Sequence, residues 1–224
     1  MKFVVLLCLL LTACSEEIFQ QKDEPKIEAK TRQYDLIWDN EFELKENTVV
    51  RVPRLIITSN AKIRTHDKSL IIVVDELISE SGTIENFKDG DSASLEKSGL
   101  SGGSISINAK YAEGRLSIDL RGQNGGRGKH GAITMPGRHP GCAGTNGGNG
   151  GNSGSLYVDY DNGSLQIATT NTPGLKGERG VRGAAPKFES EETSIQPPCI
   201  ADAKDGVDGV PGIKGLVCIS GKCE

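Results

Sequence analysis

"GLKGERGVRG", residues 174–183, places glycine at every third position, and three other stretches do the same. The sets are Gly122, Gly125, Gly128, Gly131; Gly141, Gly144, Gly147, Gly150; Gly174, Gly177, Gly180, Gly183; and Gly206, Gly209, Gly212, Gly215. In an extended left-handed helix with three residues per turn, every third residue returns to one edge. A rise of about 3.1 Å would make each run about 28 Å long. A glycine edge lets another backbone come close. Such a helix has no internal hydrogen bonds, so its amides and carbonyls need partners in a neighbouring run or in water. These glycines are therefore candidate packing positions. A flexible linker would need neither the phase nor the repeated length.

Glycine every third residue resembles collagen, which implies three chains meeting along one continuous edge as a trimeric stalk. Each run is short, however, Pro is almost absent inside the runs, and strand-like text interrupts them. So short a triple helix would set few cross-chain bonds against a large ordering cost. The runs also resemble the glycine-rich motifs of bacteriophage tail-fibre tip adhesins and of the snow-flea antifreeze proteins, which use short Gly-X-X segments tied by loops. That resemblance implies a polyglycine II helix bundle within one chain, glycines inward, and a monomer rather than a trimer. The chain departs from the antifreeze pattern in its long intervening strands and in the bulky Lys176, Glu178, Arg179 and Arg182, which fit only an outer face.

Between the runs lies an internal repeat. "SISINAKYAEGRLSIDLRG" (104–122) and "SLYVDYDNGSLQIATTNTPG" (155–174) each read as strand, Gly-containing turn, strand, then glycine run, with Ile105 and Leu156 at corresponding places. Asn162-Gly163 predicts a two-residue hairpin loop, because both residues tolerate positive φ. Glu113-Gly114 predicts the same in the first copy. From Tyr34 to Phe87 the text turns to β-branched runs such as "TVVRVPRLIITS" and "SLIIVVDELIS", punctuated by Asn, Asp, Gly and Ser. These read as short strands of a sandwich or a β-solenoid. Residues 88–104, with Asp89 and Asp91, read as a loop. The expected class is all-β: a short-strand sandwich or β-solenoid N-terminal part, then β-hairpins and a polyglycine II helix bundle. The expected segments are 1–13, 14–33, 34–103 and 104–224.

The first segment sets the address. "MKFVVLLCLLLTACSEE" joins one Lys to an apolar run too short to cross a bilayer, the form of a secretory signal peptide. Its end, Leu11-Thr12-Ala13-Cys14, resembles the lipobox of bacterial lipoproteins. That resemblance implies cleavage before Cys14, a diacylglyceryl group on its sulfur and an acylated amine. Three acyl chains hold stably where one binds marginally, at about 0.8 kcal/mol per buried methylene. Ser15 stands where lipoproteins of the inner membrane often carry Asp, so the implied destination is the outer membrane, on its periplasmic or cell-surface face. Residues 15–33 read as a solvated tether. Loss of Lys2 with the signal leaves 25 basic against 30 acidic side chains, a net charge of −5, which argues against a nucleic-acid partner.

Four cysteines then remain, Cys142, Cys199, Cys218 and Cys223, an even number in an oxidising compartment. The expected disulfides are Cys218–Cys223 across a turn and Cys142–Cys199 closing a long loop. No metal site is expected: zinc lacks the close Cys spacing. Asp202, Asp205 and Asp208, three apart, fall short of the oxygens that calcium needs. No cofactor is expected either, since "GGRGKHG" lacks the phosphate-loop pattern. His66, His130 and His139 form no paired catalytic motif, and no nucleophile set assembles. The expected function is non-enzymatic: a surface lipoprotein, membrane-held by its lipid, acting as an adhesin-like binding module for a glycan or protein, or as an envelope structure. The loops 132–144 and 185–199 are the candidate binding positions. The alternatives are the collagen-like trimeric stalk and a β-solenoid enzyme that cleaves polysaccharide.

Overall fold

Aliphatic residues recur at matching places in successive strands, and those strands stack in parallel. The computed structural model describes residues 35–131, 143–183 and 203–224. Its strands are β1 (Asp35–Trp38), β2 (Glu41–Glu43), β3 (Thr48–Ile57), β4 (Lys62–Arg64), β5 (Leu70–Glu85), β6 (Ile105–Asp119), β7 (Leu156–Gly163), β8 (Gln166–Thr170), β9 (Val217–Ile219) and β10 (Lys222–Cys223). The class is all-β. The strands make one sheet with the order β1-β3-β5-β6-β7-β9-β10, while β2, β4 and β8 pair alongside. Every pairing is parallel except β9 with β10.

Parallel neighbours cannot be joined by a tight turn, so the chain must travel round between them. It winds coil upon coil, which settles the N-terminal alternatives: the described part is a solenoid and not a sandwich. The offset between stacked residues grows along the chain. It is 19 between Asp35 and Arg54, 22 between Asn47 and Ser69, 35 between Ser69 and Ser104, 51 between Asn124 and Leu175, and 61 between Asn149 and Val210. The internal repeat of the sequence is therefore one coil, with Ile105 paired to Leu156. β5 pairs with β6 from Leu70–Ile105 to Glu85–Asp119, so the described residues on either side of position 104 share one sheet and one core.

Both expected hairpins are corrected. β6 runs continuously through Gly114, and β7 and β8 each pair with β6 rather than with one another. The positive φ itself is present, at 93° for Gly114 and 119° for Gly163. It bends the strand at a solenoid corner, where a Cβ on Gly114 would overlap the Ser79 carbonyl and one on Gly163 that of Ala112. The local signal was a bend. Stacking on the coil beneath decided that the bend turns the chain onward instead of back.

The interior is a set of aliphatic ladders. Val50, Ile72, Ile107, Val158 and Ile219 follow one another across five strands, as do Thr48, Leu70, Ile105, Leu156 and Val217. Ile72, Leu70, Ile105 and Leu156 are fully buried, and each buried side chain of this size contributes about 1.5–3 kcal/mol. One ladder is charged. Glu43, Arg64, Glu85 and Asp119 align across successive coils. Arg64, only 5% exposed, donates from Nε to Glu85 at 2.6 Å and from Nη1 to Glu43 at 3.1 Å, and it also pairs with Glu41. Lys62 reaches Glu85 at 3.2 Å.

The glycine runs extend the later coils, and they bond to one another through the main chain. Gly122, Gly125, Gly128 and Gly131 donate to the carbonyls of Thr172, Leu175, Glu178 and Val181 at 2.7–3.0 Å. Thr145, Gly148, Gly151 and Gly154 donate to Lys129, Gly126, Gln123 and Leu120, while Gly144, Gly147 and Gly150 donate to Lys204, Val207 and Val210. Gly174, Gly177 and Gly180 donate to Gly151, Gly148 and Thr145; Gly206, Gly209 and Gly212 donate in turn to Gly180, Gly177 and Gly174. Consecutive runs are antiparallel and runs one coil apart are parallel. A fifth segment joins them, since Gly99 and Gly102 donate to the carbonyls of Asn149 and Asn152, and Lys97 and Leu100 accept from Gly126 and Gln123. This segment lies within 88–104, expected to be a loop, where Gly99 and Gly102 keep the spacing of three.

Glycine content follows position in this lattice. The two inner runs carry doubled glycines, Gly125-Gly126, Gly147-Gly148 and Gly150-Gly151, because the second glycine of each pair lies against the fifth segment: a Cβ on Gly126, Gly148 or Gly151 would overlap the carbonyl of Ser94, Lys97 or Leu100. The last two runs carry one glycine per triplet and turn Leu175, Val207, Val210 and Ile213 to solvent.

Candidate functional site

The same residue positions that follow the last strand of each coil come together in one cleft. β5 ends at Glu85, β6 at Asp119 and β8 at Thr170. Just beyond each end lie Lys88–Asp91, then Arg121, Gly122 and Asn124, then Thr172, Pro173 and Leu175, which line a cleft of about 290 Å³. It sits where strands hand over to glycine runs. Parallel stacking puts equivalent residues of successive coils side by side, so three coils supply one wall.

Arg121 is the fixed point. Its Nε donates to both oxygens of Asp119, at 3.0 and 2.9 Å, and its Nη2 lies 2.7 Å from Oδ2. Nη1 pairs with Asp89, whose side chain is 94% exposed. The Arg121 N–H also donates to Asp119 Oδ1 at 3.1 Å. A bidentate guanidinium held this way is oriented by its partners. Asp91 Oδ2 accepts from Gln123 Nε2 at 3.4 Å, and Asn124 Oδ1 accepts the Leu175 N–H at 2.8 Å. The floor is anchored main chain, for Asn124 N–H donates to the Asp91 carbonyl and Gly122 N–H to that of Thr172. Lys88 is exposed and takes part in none of the ion pairs among the described residues.

The other expected site residues fall elsewhere. Cys14, the Cys142–Cys199 pair, Gly141, His139, Asp202 and nearly all of the loops 132–144 and 185–199 lie outside the described residues. Cys218 and Cys223 form a disulfide that joins β9 to β10 over the end of the β7 coil. His130 Nδ1 accepts the Val181 N–H at 3.0 Å and so belongs to the lattice. Asp205 and Asp208 belong to it as well, accepting from the N–H groups of Arg182 and Arg179 at 2.8 and 3.0 Å. Among the described residues, no group of three or more His, Cys, Asp or Glu is placed to hold a metal ion.

Side-chain acceptors are what the sequence reading missed. Asn146, Asn149 and Asn152 accept, through Oδ1, the N–H groups of Val207, Val210 and Ile213 at 2.8–3.0 Å. Their signal was the "NGGNGGN" period itself. The run above offers Val and Ile at the matching places, which accept nothing, so the asparagine ladder stops there.

The Lys176 ammonium, 2.8 Å away, and the Arg179 N–H hold the Asp208 carboxyl below the usual aspartate range. A depressed native value means that its support is present above the unfolded value and lost as pH falls through the native one. The Arg179 amide resonance should therefore titrate with a midpoint below that of a free aspartate, and the transition should vanish in Asp208→Asn. A midpoint at or above the ordinary value would contradict the arrangement. Comparisons with protein-family models, with curated proteins and with solved structures gave no match to this chain.

Proposed function

We propose that the chain is a non-enzymatic, lipid-anchored bacterial surface protein in which a solenoid braced by a polyglycine II bundle holds a recognition surface away from the outer membrane. The observation that carries this reading is the cross-coil lattice of main-chain hydrogen bonds between glycine runs. Fixing so many glycines costs more backbone entropy than fixing any other residue. A merely tethering segment gains nothing from that cost, whereas a stiff mount for a binding site does. The same bonds argue for a monomer over the collagen-like stalk, since the glycine edges that a trimer would use are taken up within one chain. The cleft argues for recognition over a purely structural role, because it gathers donors, acceptors and an apolar wall at one place.

Anchoring and recognition are tested separately. In a Gram-negative host, the full chain should incorporate labelled palmitate and sediment with outer membranes, and Cys14→Ala should abolish both. Label retained by Cys14→Ala would overturn the anchor. In detergent the mass should be that of one chain; a trimer would favour the stalk. Turnover on a polysaccharide panel, lost on single carboxylate substitution, would favour the enzyme.

A further inference from the structure

We infer that the cleft beside Arg121 takes a neutral oligosaccharide, with sugar hydroxyls bonded to Lys88, Asp89, Asp91 and Thr172 and a ring face laid on Pro173 and Leu175. This rests on the recognition reading above and gives it a place and a ligand class.

The chemistry of the lining selects among ligands. A phosphate or other anion needs free cationic donors. Arg121 is already occupied on both sides by Asp119 and Asp89, and the carboxylates of Asp89 and Asp91 would repel an anion that approached Lys88. A metal ion needs several convergent, uncommitted oxygens, but Asp89 faces a guanidinium and Asp91 faces the Gln123 amide. A wholly apolar ligand would desolvate four charged side chains, Lys88, Asp89, Asp91 and Arg121, without giving them partners. A sugar meets each requirement at once. Each hydroxyl both donates and accepts, so it can give its proton to Asp89 or Asp91 and receive one from Lys88 or Thr172. The C–H face of a pyranose ring is apolar and matches Leu175, 66% exposed beside charged neighbours. The lining comes from three successive coils, so the cleft offers a sugar chain side chains from each of them.

The test uses the full chain in detergent, immobilised against an array of neutral gluco-, galacto- and manno-configured oligosaccharides, with uronic- and sialic-acid-bearing glycans on the same slide. Binding to one or more neutral glycans is expected. Asp91→Ala and Lys88→Ala should each weaken it about tenfold or more, the cost of one charge-assisted hydrogen bond, and Leu175→Ser should weaken it as well. All three positions are exposed or half-exposed, and an unchanged urea midpoint for each variant shows that the fold is kept. Binding of acidic glycans alone, or neutral binding that survives all three substitutions, overturns the assignment of the cleft and leaves surface recognition standing. An array blank for every glycan overturns the assignment too. If intact cells also fail to bind the chain while its deletion weakens the envelope, recognition falls with it.

Discussion

Gly148→Ala is expected to destabilise the chain by about 3 kcal/mol or more, the sum of overpacking and of main-chain groups left unpaired. Gly148 sits on an inner run. Its N–H donates to the Gly126 carbonyl at 2.7 Å, its own carbonyl accepts from Gly177 at 2.8 Å, and a Cβ would overlap the Lys97 carbonyl. The carbonyl belongs to the backbone of a bonded neighbour, so relief requires one run to move off another. That movement breaks bonds on both sides. Lys176→Ala, on an outward position of the third run, should change stability by no more than about 0.5 kcal/mol. Urea unfolding of both variants decides the matter. Equal small effects would show that the runs do not brace one another, and the scaffold argument would fail.

Arg64→Ala should cost about 3–5 kcal/mol, the range for removing one partner of a buried ion pair. Three carboxylates, Glu41, Glu43 and Glu85, face the one guanidinium. Glu85, 7% exposed, would keep only Lys62. Replacing the pair together, as Arg64→Met with Glu85→Leu, should recover most of the loss, because no buried charge is then orphaned. The double variant as weak as Arg64→Ala would refute this account. Acid response gives a second reading. Bonding to Arg64, and then the charge of His66, hold the Glu43 carboxyl below its ordinary value. Its contribution is present above the unfolded value and fades as pH falls through the native one, so Arg64→Ala should flatten that part of the acid transition.

Much of the architecture could be read from residue types. β-branched runs over 34–87 announced strands, and the repeat that aligns Ile105 with Leu156 announced residues that pair across one coil, though its two halves read as a hairpin. The glycine phase announced edges that accept a backbone. Gly114 and Gly163 announced positive φ but not the use made of it. Each of these signals depends on covalent neighbours: on whether a Cβ is present, or on how side chains alternate along a strand.

Other features lay beyond such signals. The Gly163 bend could serve a hairpin or a corner, and only the coil beneath, with Ala112 opposite Gly163, chose the corner. The role of Asn149 as acceptor for Val210 depends on a partner 61 residues away. The cleft was invisible for the same reason. Lys88, Arg121 and Thr172 carry no common motif, and they meet because three coils of different lengths close in register.

The sequence by itself determined that this chain is built of strands and of backbone edges made for close approach, because propensity and the missing glycine Cβ act within a few residues. Tertiary structure alone decided which edge meets which, since a main-chain donor has no preference among carbonyls. Its partner is set by the coil that brings one within reach.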